Sequence, residues 1–191
     1  PKHLKRLRVT PDPSRHIRNP WNAVEEGTSP SQALIDTYDA NIRSSDAAIG
    51  TILETVSNDT TVIVTADHGE EFGLHNTFHK VSVYESMARV PLVIKGPDFP
   101  DQTIEEPVSH VDIPPTVAGV IGADRDERWS GINLHSETPP ADRSIWINYE
   151  FPDYVDSAVV QDQWKYVCRL EAIEGAKRDE ALHNIQSDST E

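Results

Sequence analysis

A short apolar run that ends in polar residues constrains the fold of this chain most. The segment Thr61-Val62-Ile63-Val64-Thr65-Ala66 is rich in β-branched residues and almost continuously apolar. Runs of this kind are typical of strands that are buried on both faces of a parallel sheet. The sequence therefore predicts an α/β fold that contains a buried strand over residues 61–66.

The residues that follow this strand are candidates for chemistry. In open α/β sheets, ligands bind beyond the carboxyl ends of the strands, and Asp67-His68-Gly69 begins at such an end. Neighbouring residues in a strand face opposite ways, so Asp67 and His68 can reach one point only where the chain leaves the strand. We expect Gly69 to supply the necessary backbone freedom. A carboxylate beside an imidazole suits a divalent cation, although a capped turn is the alternative interpretation.

The flanking segments predict the rest of an α/β core. From Ser31, apolar residues recur at three- and four-residue steps and predict a long helix with one apolar stripe: Leu34, Tyr38, Ile42, Ile49, Ile52, Leu53 and Val56. Gly50 inside that helix suggests a close approach to another backbone. Further predicted elements are a short helix over 83–87, a buried strand over 90–94, and a helix that Asp112 caps and Gly122 ends.

Composition divides the chain into three parts. The first 30 residues carry Pro11, Pro13, Pro20 and Pro30 and predict an irregular connection. Residues 31–140 predict the α/β core. Residues 141–191 predict a small antiparallel subdomain, because 144–149, 157–160 and 164–167 are strand-like without intervening helices. At 191 residues, one domain with an appendage is expected.

Charge and cysteine content exclude several classes of protein. The chain has 32 acidic residues against 17 Lys plus Arg, a formal charge of −15, so we expect no nucleic acid and no anionic membrane as partners. The scattered acids resemble the surface of halophilic proteins, with an ordinary acidic surface as the alternative. Cys168 is the only cysteine, which excludes an intrachain disulfide. Without a signal-like run, a cytoplasmic location is favoured, and the oligomeric state stays open.

The stretch from Thr65 to Lys80, followed by Tyr84-Glu85 and Arg89 to Ile94, resembles the second metal-binding segment of sulfatases and of the related phosphonate monoester hydrolases. These enzymes belong to the alkaline phosphatase superfamily. Other motifs follow in the family's order: Tyr38-Asp39-Ala40-Asn41-Ile42, His110-Val111-Asp112-Ile113-Pro114-Pro115-Thr116, Trp129-Ser130-Gly131, Trp164-Lys165-Tyr166 and Leu182-His183-Asn184. The resemblance implies part of a three-layer α/β/α sheet of the alkaline phosphatase type, with a small carboxy-terminal antiparallel β subdomain.

The resemblance also implies roles for individual residues. Asp67 and His68 would be metal ligands, with Ca²⁺ expected first and Mn²⁺, Mg²⁺ or Zn²⁺ as alternatives. Lys80 would bind and stabilise the sulfuryl or phosphoryl oxygens. His75 is a candidate catalytic residue and His79 a candidate substrate-binding residue, with supporting or surface roles as alternatives. We expect Arg89 to pair with Glu85 four residues earlier instead of contacting substrate.

Two parts of the family's active site are missing from this sequence. The nucleophile motif Cys/Ser-x-Pro-x-Arg has only a mimic, Pro11-Asp12-Pro13-Ser14-Arg15, in which a proline stands at the position of the nucleophile. The paired aspartates that complete the metal site are also absent. We therefore expect the carboxy-terminal half of a longer enzyme, inactive alone, whose partners are its amino-terminal half and a small anionic ester.

The reaction class stays open at this point. Many sulfatases have Asn at the position of His68, whereas the Asp-His form also occurs in phosphonate and phosphate ester hydrolases. A sulfate ester hydrolase is the first hypothesis and a phosphonate or phosphate ester hydrolase the second. A non-catalytic truncated domain and a phosphomutase of the same superfamily are further alternatives.

Overall fold

The computed structural model describes residues 32–76, 82–171 and 177–188. These residues form two compact units. Among the described residues, one unit contains 32–60, with the long first helix, and 70–76, and the other contains 61–69 and all residues from 82 onward, with every described strand. The predicted irregular connection over residues 1–30 lies outside the described residues.

The first unit is built on helix α1, Gln32–Thr55, which confirms the predicted long helix. Its apolar stripe, however, is largely exposed: Ile42 and Ile52 are more than half exposed, and only Ala40 is buried among the described helix residues. The ring of Tyr38 meets that of Phe72 edge to face at 4.9 Å between centroids. A short 3₁₀ turn follows at Leu74–Asn76.

The expectation for Gly50 is wrong within the described residues. A Cβ atom built at this glycine meets no described heavy atom within 4 Å. Nothing in the described part of the chain therefore requires a glycine in the middle of α1.

The second unit begins with strand β1, Val62–Thr65, followed by helix α2, Glu85–Ala88, and strand β2, Leu92–Lys95. The two strands pair antiparallel, with Val62 opposite Lys95 and Thr65 opposite Leu92. The expected parallel pairing is therefore wrong for this pair, and β1 is half-buried instead of fully buried. The β-branched, apolar composition of β1 indicates a strand, but it carries no information about the direction of the strand that pairs with it.

A 3₁₀ turn at His110–Asp112 leads directly into helix α3, Ile113–Ile121, which has proline in its first turn. The helix ends as predicted at Gly122, whose φ of 68° is left-handed. Asp112 stands at the N-cap position but makes no side-chain capping bond to α3. The predicted capping role is therefore wrong, and the carboxylate has other partners.

The carboxy-terminal part forms a four-stranded antiparallel sheet in the order of the sequence. Its strands are β3, Ile145–Glu150, β4, Tyr154–Gln161, β5, Trp164–Glu171, and β6, Lys177–Asn184. The first three strands confirm the predictions for 144–149, 157–160 and 164–167, whereas the sequence analysis does not predict β6. No helix in the described part of the chain is long and apolar enough to cross a membrane.

Candidate active site

The turn Asp67-His68-Gly69 leaves β1 and is held against helix α2. The Gly69 N–H donates to the Met87 carbonyl at 2.9 Å. A Cβ atom at Gly69 would lie 1.9 Å from the Ser86 carbonyl oxygen, closer than any real contact allows. Gly69 does not have a positive φ. The close approach therefore requires the glycine, and the predicted need for backbone freedom at this position is wrong.

Helix α2 is itself fixed to the carboxy-terminal sheet. The Lys165 ammonium on β5, which is fully buried, donates to Glu85 Oε1 at 3.1 Å. Met87 is also buried. The expected ion pair between Glu85 and Arg89 is not the one formed: Arg89 contacts Glu85 through its backbone N–H, which donates to the Glu85 carbonyl. The Lys165 side chain reaches Glu85 from the four-stranded sheet instead.

The two candidate metal ligands are arranged around one point. His68 Nδ1 lies 2.8 Å from the Gly69 carbonyl oxygen, and because a carbonyl can only accept, Nδ1 carries the proton. In the neutral ring Nε2 then holds the lone pair, and it lies 3.7 Å from Asp67 Oδ2. The other oxygen, Asp67 Oδ1, accepts the His68 backbone N–H at 3.0 Å. A backbone carbonyl that fixes the tautomer of an imidazole is the usual support for a metal-ligating histidine.

This donor set fits a divalent cation but does not complete its coordination. Asp67 offers a carboxylate whose side chain is 90% exposed, and His68 offers one imidazole nitrogen. Within residues 32–76, 82–171 and 177–188, no group of three or more His, Cys, Asp or Glu side chains could hold a metal ion. A third His, Cys, Asp or Glu ligand would therefore have to come from outside the described part of the chain.

Asp67 and His68 line a cavity of about 380 Å³ in the second unit. Its lining residues also include Arg89, Ser109 and His110, which follow α2 or precede α3. Trp146 and Asn148 of strand β3, an edge strand of its sheet, line the same cavity. Acidic, imidazole and guanidinium groups therefore share one cavity with an aromatic side chain.

His75 belongs to the first unit, in a loop with an unusual backbone. Phe72, Gly73 and His75 all have positive φ angles, of 50°, 91° and 55°. For Phe72 and His75 this conformation is uncommon and costs free energy. His75 Nδ1 lies 3.7 Å from the fully buried carboxylate of Glu71. Glu71 is thus a buried partner of the candidate histidine.

The two remaining candidate residues, His79 and Lys80, lie outside the described residues. Their predicted contacts with substrate stay predictions.

Sequence reasoning did not select Arg89 and His110 as site residues. Both stand in motifs that the sequence displays clearly, Arg89-Val90-Pro91 and His110-Val111-Asp112. What the sequence could not show is that both segments line the Asp67–His68 cavity. The sequence offered one indication: each motif lies next to the predicted end of a strand or helix.

Comparison with known proteins agrees with the sequence motifs. A profile of the sulfatase family matches residues 10–123. The choline-sulfatase of Rhizobium meliloti (strain 1021) is 28% identical over 167 residues, which cover 81% of this chain and 31% of that protein. Arylsulfatase K of Homo sapiens is 31% identical over 173 residues, which cover 81% of this chain and 32% of the relative. The chain thus spans about a third of the length of these curated relatives.

Among solved structures, the phosphonate monoester hydrolase of Agrobacterium radiobacter superposes with a TM-score of 0.69 at 24% identity. The match covers 83% of this chain and 36% of that one. At this identity the likeness establishes the fold.

Proposed function

Because the chain belongs to the sulfatase family, we propose that it supplies the metal-ligating part of a hydrolase that cleaves sulfate esters. The predicted fold class, part of an alkaline phosphatase-like α/β fold with a small antiparallel subdomain, is confirmed by the structural similarity. The observation that carries the proposal is the geometry of Asp67 and His68, whose Oδ2 and Nε2 atoms lie 3.7 Å apart beside a cavity.

Asp67 and His68 would hold a divalent cation, with Ca²⁺ as the first choice and Mn²⁺, Mg²⁺ or Zn²⁺ as alternatives. Such a cation, when bound, would neutralise charge on the ester oxygens and polarise them. The protein's part is to fix the donors. The Gly69 carbonyl holds the imidazole tautomer, and the His68 N–H holds the carboxylate.

Lys80 is proposed to bind the anionic oxygens of the small ester substrate, where a fixed ammonium stabilises charge that develops during the reaction. His75 is proposed to act in proton transfer to the leaving oxygen, and His79 to contact substrate. The His75–Glu71 contact supports the first of these roles, because a buried carboxylate orients an imidazole.

The remaining metal ligands and the nucleophile are proposed to come from the rest of the fold, since the chain spans about a third of its relatives. On this view the chain alone is inactive. The test is to assay the natural polypeptide that carries this chain against a panel of sulfate esters with each divalent cation. Sulfate release that is lost in Lys80→Ala would support the proposal, and no release with any cation would contradict it.

Phosphonate or phosphate monoester hydrolysis is a second candidate. It is favoured by His68 itself, because many sulfatases have Asn there whereas phosphonate and phosphate ester hydrolases share the Asp-His form. The same panel distinguishes the two reactions if it includes a phenyl phosphonate monoester. A higher kcat/KM for the phosphonate than for every sulfate ester would select this second candidate, and hydrolysis of neither would favour a non-catalytic domain.

A further inference from the structure

His110 lines the same cavity as Asp67 and His68, and its ring has a defined hydrogen-bond partner. Its Nε2 atom lies 2.9 Å from the hydroxyl oxygen of Thr65, the last residue of β1. The Thr65 hydroxyl in turn lies 2.8 Å from the Pro91 carbonyl oxygen. This chain of contacts determines which nitrogen of His110 carries its proton.

A hydroxyl has one hydrogen to donate, and a carbonyl oxygen can only accept. Thr65 therefore donates its hydrogen to Pro91 and must accept from His110, so His110 Nε2 carries the proton. In the neutral imidazole the other nitrogen, Nδ1, then holds a lone pair and can only accept a hydrogen bond.

The turn that carries His110 is held firmly. Asp112 is fully buried and accepts hydrogen bonds from the Ser109 N–H at 2.8 Å and the Ile132 N–H at 2.8 Å. The Arg143 guanidinium binds both of its oxygens, at 2.8 and 2.6 Å. A bidentate charged pair of this kind fixes geometry as well as adding free energy. The turn is thus held by Asp112 and Arg143, and the His110 ring is held by Thr65 of β1.

An acceptor-only nitrogen cannot bind a sulfate group. An ionised sulfate ester has acceptor oxygens and no donor, and the single N–H of neutral His110 is already used by Thr65. A substrate group that binds Nδ1 of the neutral ring would therefore be an O–H or N–H donor on the organic part of the substrate.

We propose that His110 is a substrate-binding residue that selects sulfate esters of hydroxyl- or amine-bearing alcohols, such as a sulfated sugar, over esters without a donor. The proposal rests on the proposed hydrolase function. It adds a specificity residue and a substrate class to that site.

The first test measures the tautomer directly. Long-range ¹H–¹⁵N correlation spectra of the natural polypeptide with ¹⁵N-labelled histidine, recorded at pH 8, should show His110 protonated on Nε2. Titration with glucose 6-sulfate should then shift its Nδ1 signal, whereas 4-nitrophenyl sulfate, which has no donor, should not. Protonation on Nδ1, or no shift with the sugar ester, would overturn the proposal even if the protein proves inactive as a hydrolase.

The second test is kinetic and compares His110→Phe with the unmodified protein. For glucose 6-sulfate, we expect kcat/KM to fall about tenfold, the size of one neutral hydrogen bond, with the change mainly in KM. For 4-nitrophenyl sulfate, kcat/KM should fall by a smaller factor, because this ester has no donor for Nδ1, and the change in the ratio of the two kcat/KM values is the readout. Equal losses for both esters would show a merely structural role.

His110→Ala serves as a second variant if the phenylalanine protein does not fold. It removes the imidazole acceptor without adding another acceptor or extra bulk, and the same selective loss is expected. Unchanged selectivity between the two esters in a folded His110→Ala protein would also overturn the proposal.

Discussion

The ammonium group of Lys165 lies 3.1 Å from Oε1 of Glu85, a residue 80 positions earlier in the chain. The Lys165 side chain is completely buried, and Glu85 is 19% exposed. The pair joins the four-stranded sheet to helix α2. Because the Met87 carbonyl of the same helix receives the Gly69 N–H, the contact supports the turn that carries Asp67 and His68.

Replacing Lys165 with Met should therefore destabilise the protein markedly. The substitution leaves the Glu85 carboxylate without its buried partner, and breaking such a pair from one side costs about 3 kcal/mol. The free energy of unfolding, measured by urea denaturation, checks this. Lys95→Met is the matched control, because Lys95 is exposed at the end of β2 and should change stability by less than about 0.5 kcal/mol. Equal effects of the two substitutions would contradict the account.

The close approach at Gly69 leads to a second prediction. In Gly69→Ala, the new methyl group would collide with the Ser86 carbonyl oxygen, which is backbone and cannot rotate away. We expect a loss of about 2 kcal/mol or more in unfolding free energy, since overpacking moves the backbone. Thermal unfolding by circular dichroism measures it, and an unchanged midpoint would show that the turn is not held against α2.

Gly50 provides the matched counterpart. A Cβ atom added at residue 50 would meet no described heavy atom within 4 Å. Gly50→Ala should therefore stabilise helix α1 by about 1 kcal/mol through helix propensity alone. The same unfolding experiment applies. A destabilised Gly50→Ala protein would reveal a contact to this face of α1 beyond the described residues.

Asp112 should make the free energy of unfolding depend on pH in the acidic range. Burial raises the pKa of its carboxyl, but hydrogen bonds from Arg143, Ile132 and Ser109 outweigh burial and place the pKa below its ordinary value of 3.8. A carboxyl with a lowered folded-state pKa stabilises the fold above the unfolded pKa, and this contribution is lost as pH falls through the folded pKa. The stability difference between the unmodified protein and Asp112→Asn should therefore be constant above about pH 5 and shrink below pH 3.8. Denaturant titrations at several pH values measure it, and a difference that grows on acidification would contradict the assignment.

Local patterns predicted most of the elements but not their partners. The periodicity of α1, the β-branched run of β1 and the glycine that ends α3 each reflect residue-level preferences, and all three appear. Strand β6 was missed because Lys177-Arg178-Asp179-Glu180 is a charged sequence with low strand propensity, and only pairing with β5 gives it its structure. The division of the chain at residue 140 stays a prediction.

Within the candidate site, sequence reasoning selected residues that stand in one motif and did not select those that approach from elsewhere, and the metal-binding roles of Asp67 and His68 stay predictions. Asp67 and His68 are adjacent in the sequence, so they lie close together in any fold. His110, 45 positions from Thr65, reaches it through tertiary packing. Likewise, Glu85 pairs with Lys165 and not with the nearby Arg89, because strand β5, 80 residues later in the sequence, lies against α2. Sequence spacing carries no information about such contacts.

The identity of residue 68 should be tested by two substitutions. His68→Asn keeps a polar donor of the kind found at this position in many sulfatases, so we expect metal affinity to be reduced less than about tenfold. His68→Ala removes the ligand atom altogether, so the loss should be at least about a hundredfold. Metal-dependent thermal shifts compare the two, and equal affinities in both variants would argue against His68 as a ligand.

Isothermal titration of a divalent cation into the natural polypeptide, before and after Asp67→Ala, tests the central claim most directly. The account predicts one high-affinity cation for each chain in the unmodified protein, and its loss in the Asp67→Ala variant while the protein remains folded. Binding of the cation with unchanged affinity and stoichiometry in a folded Asp67→Ala protein would contradict it.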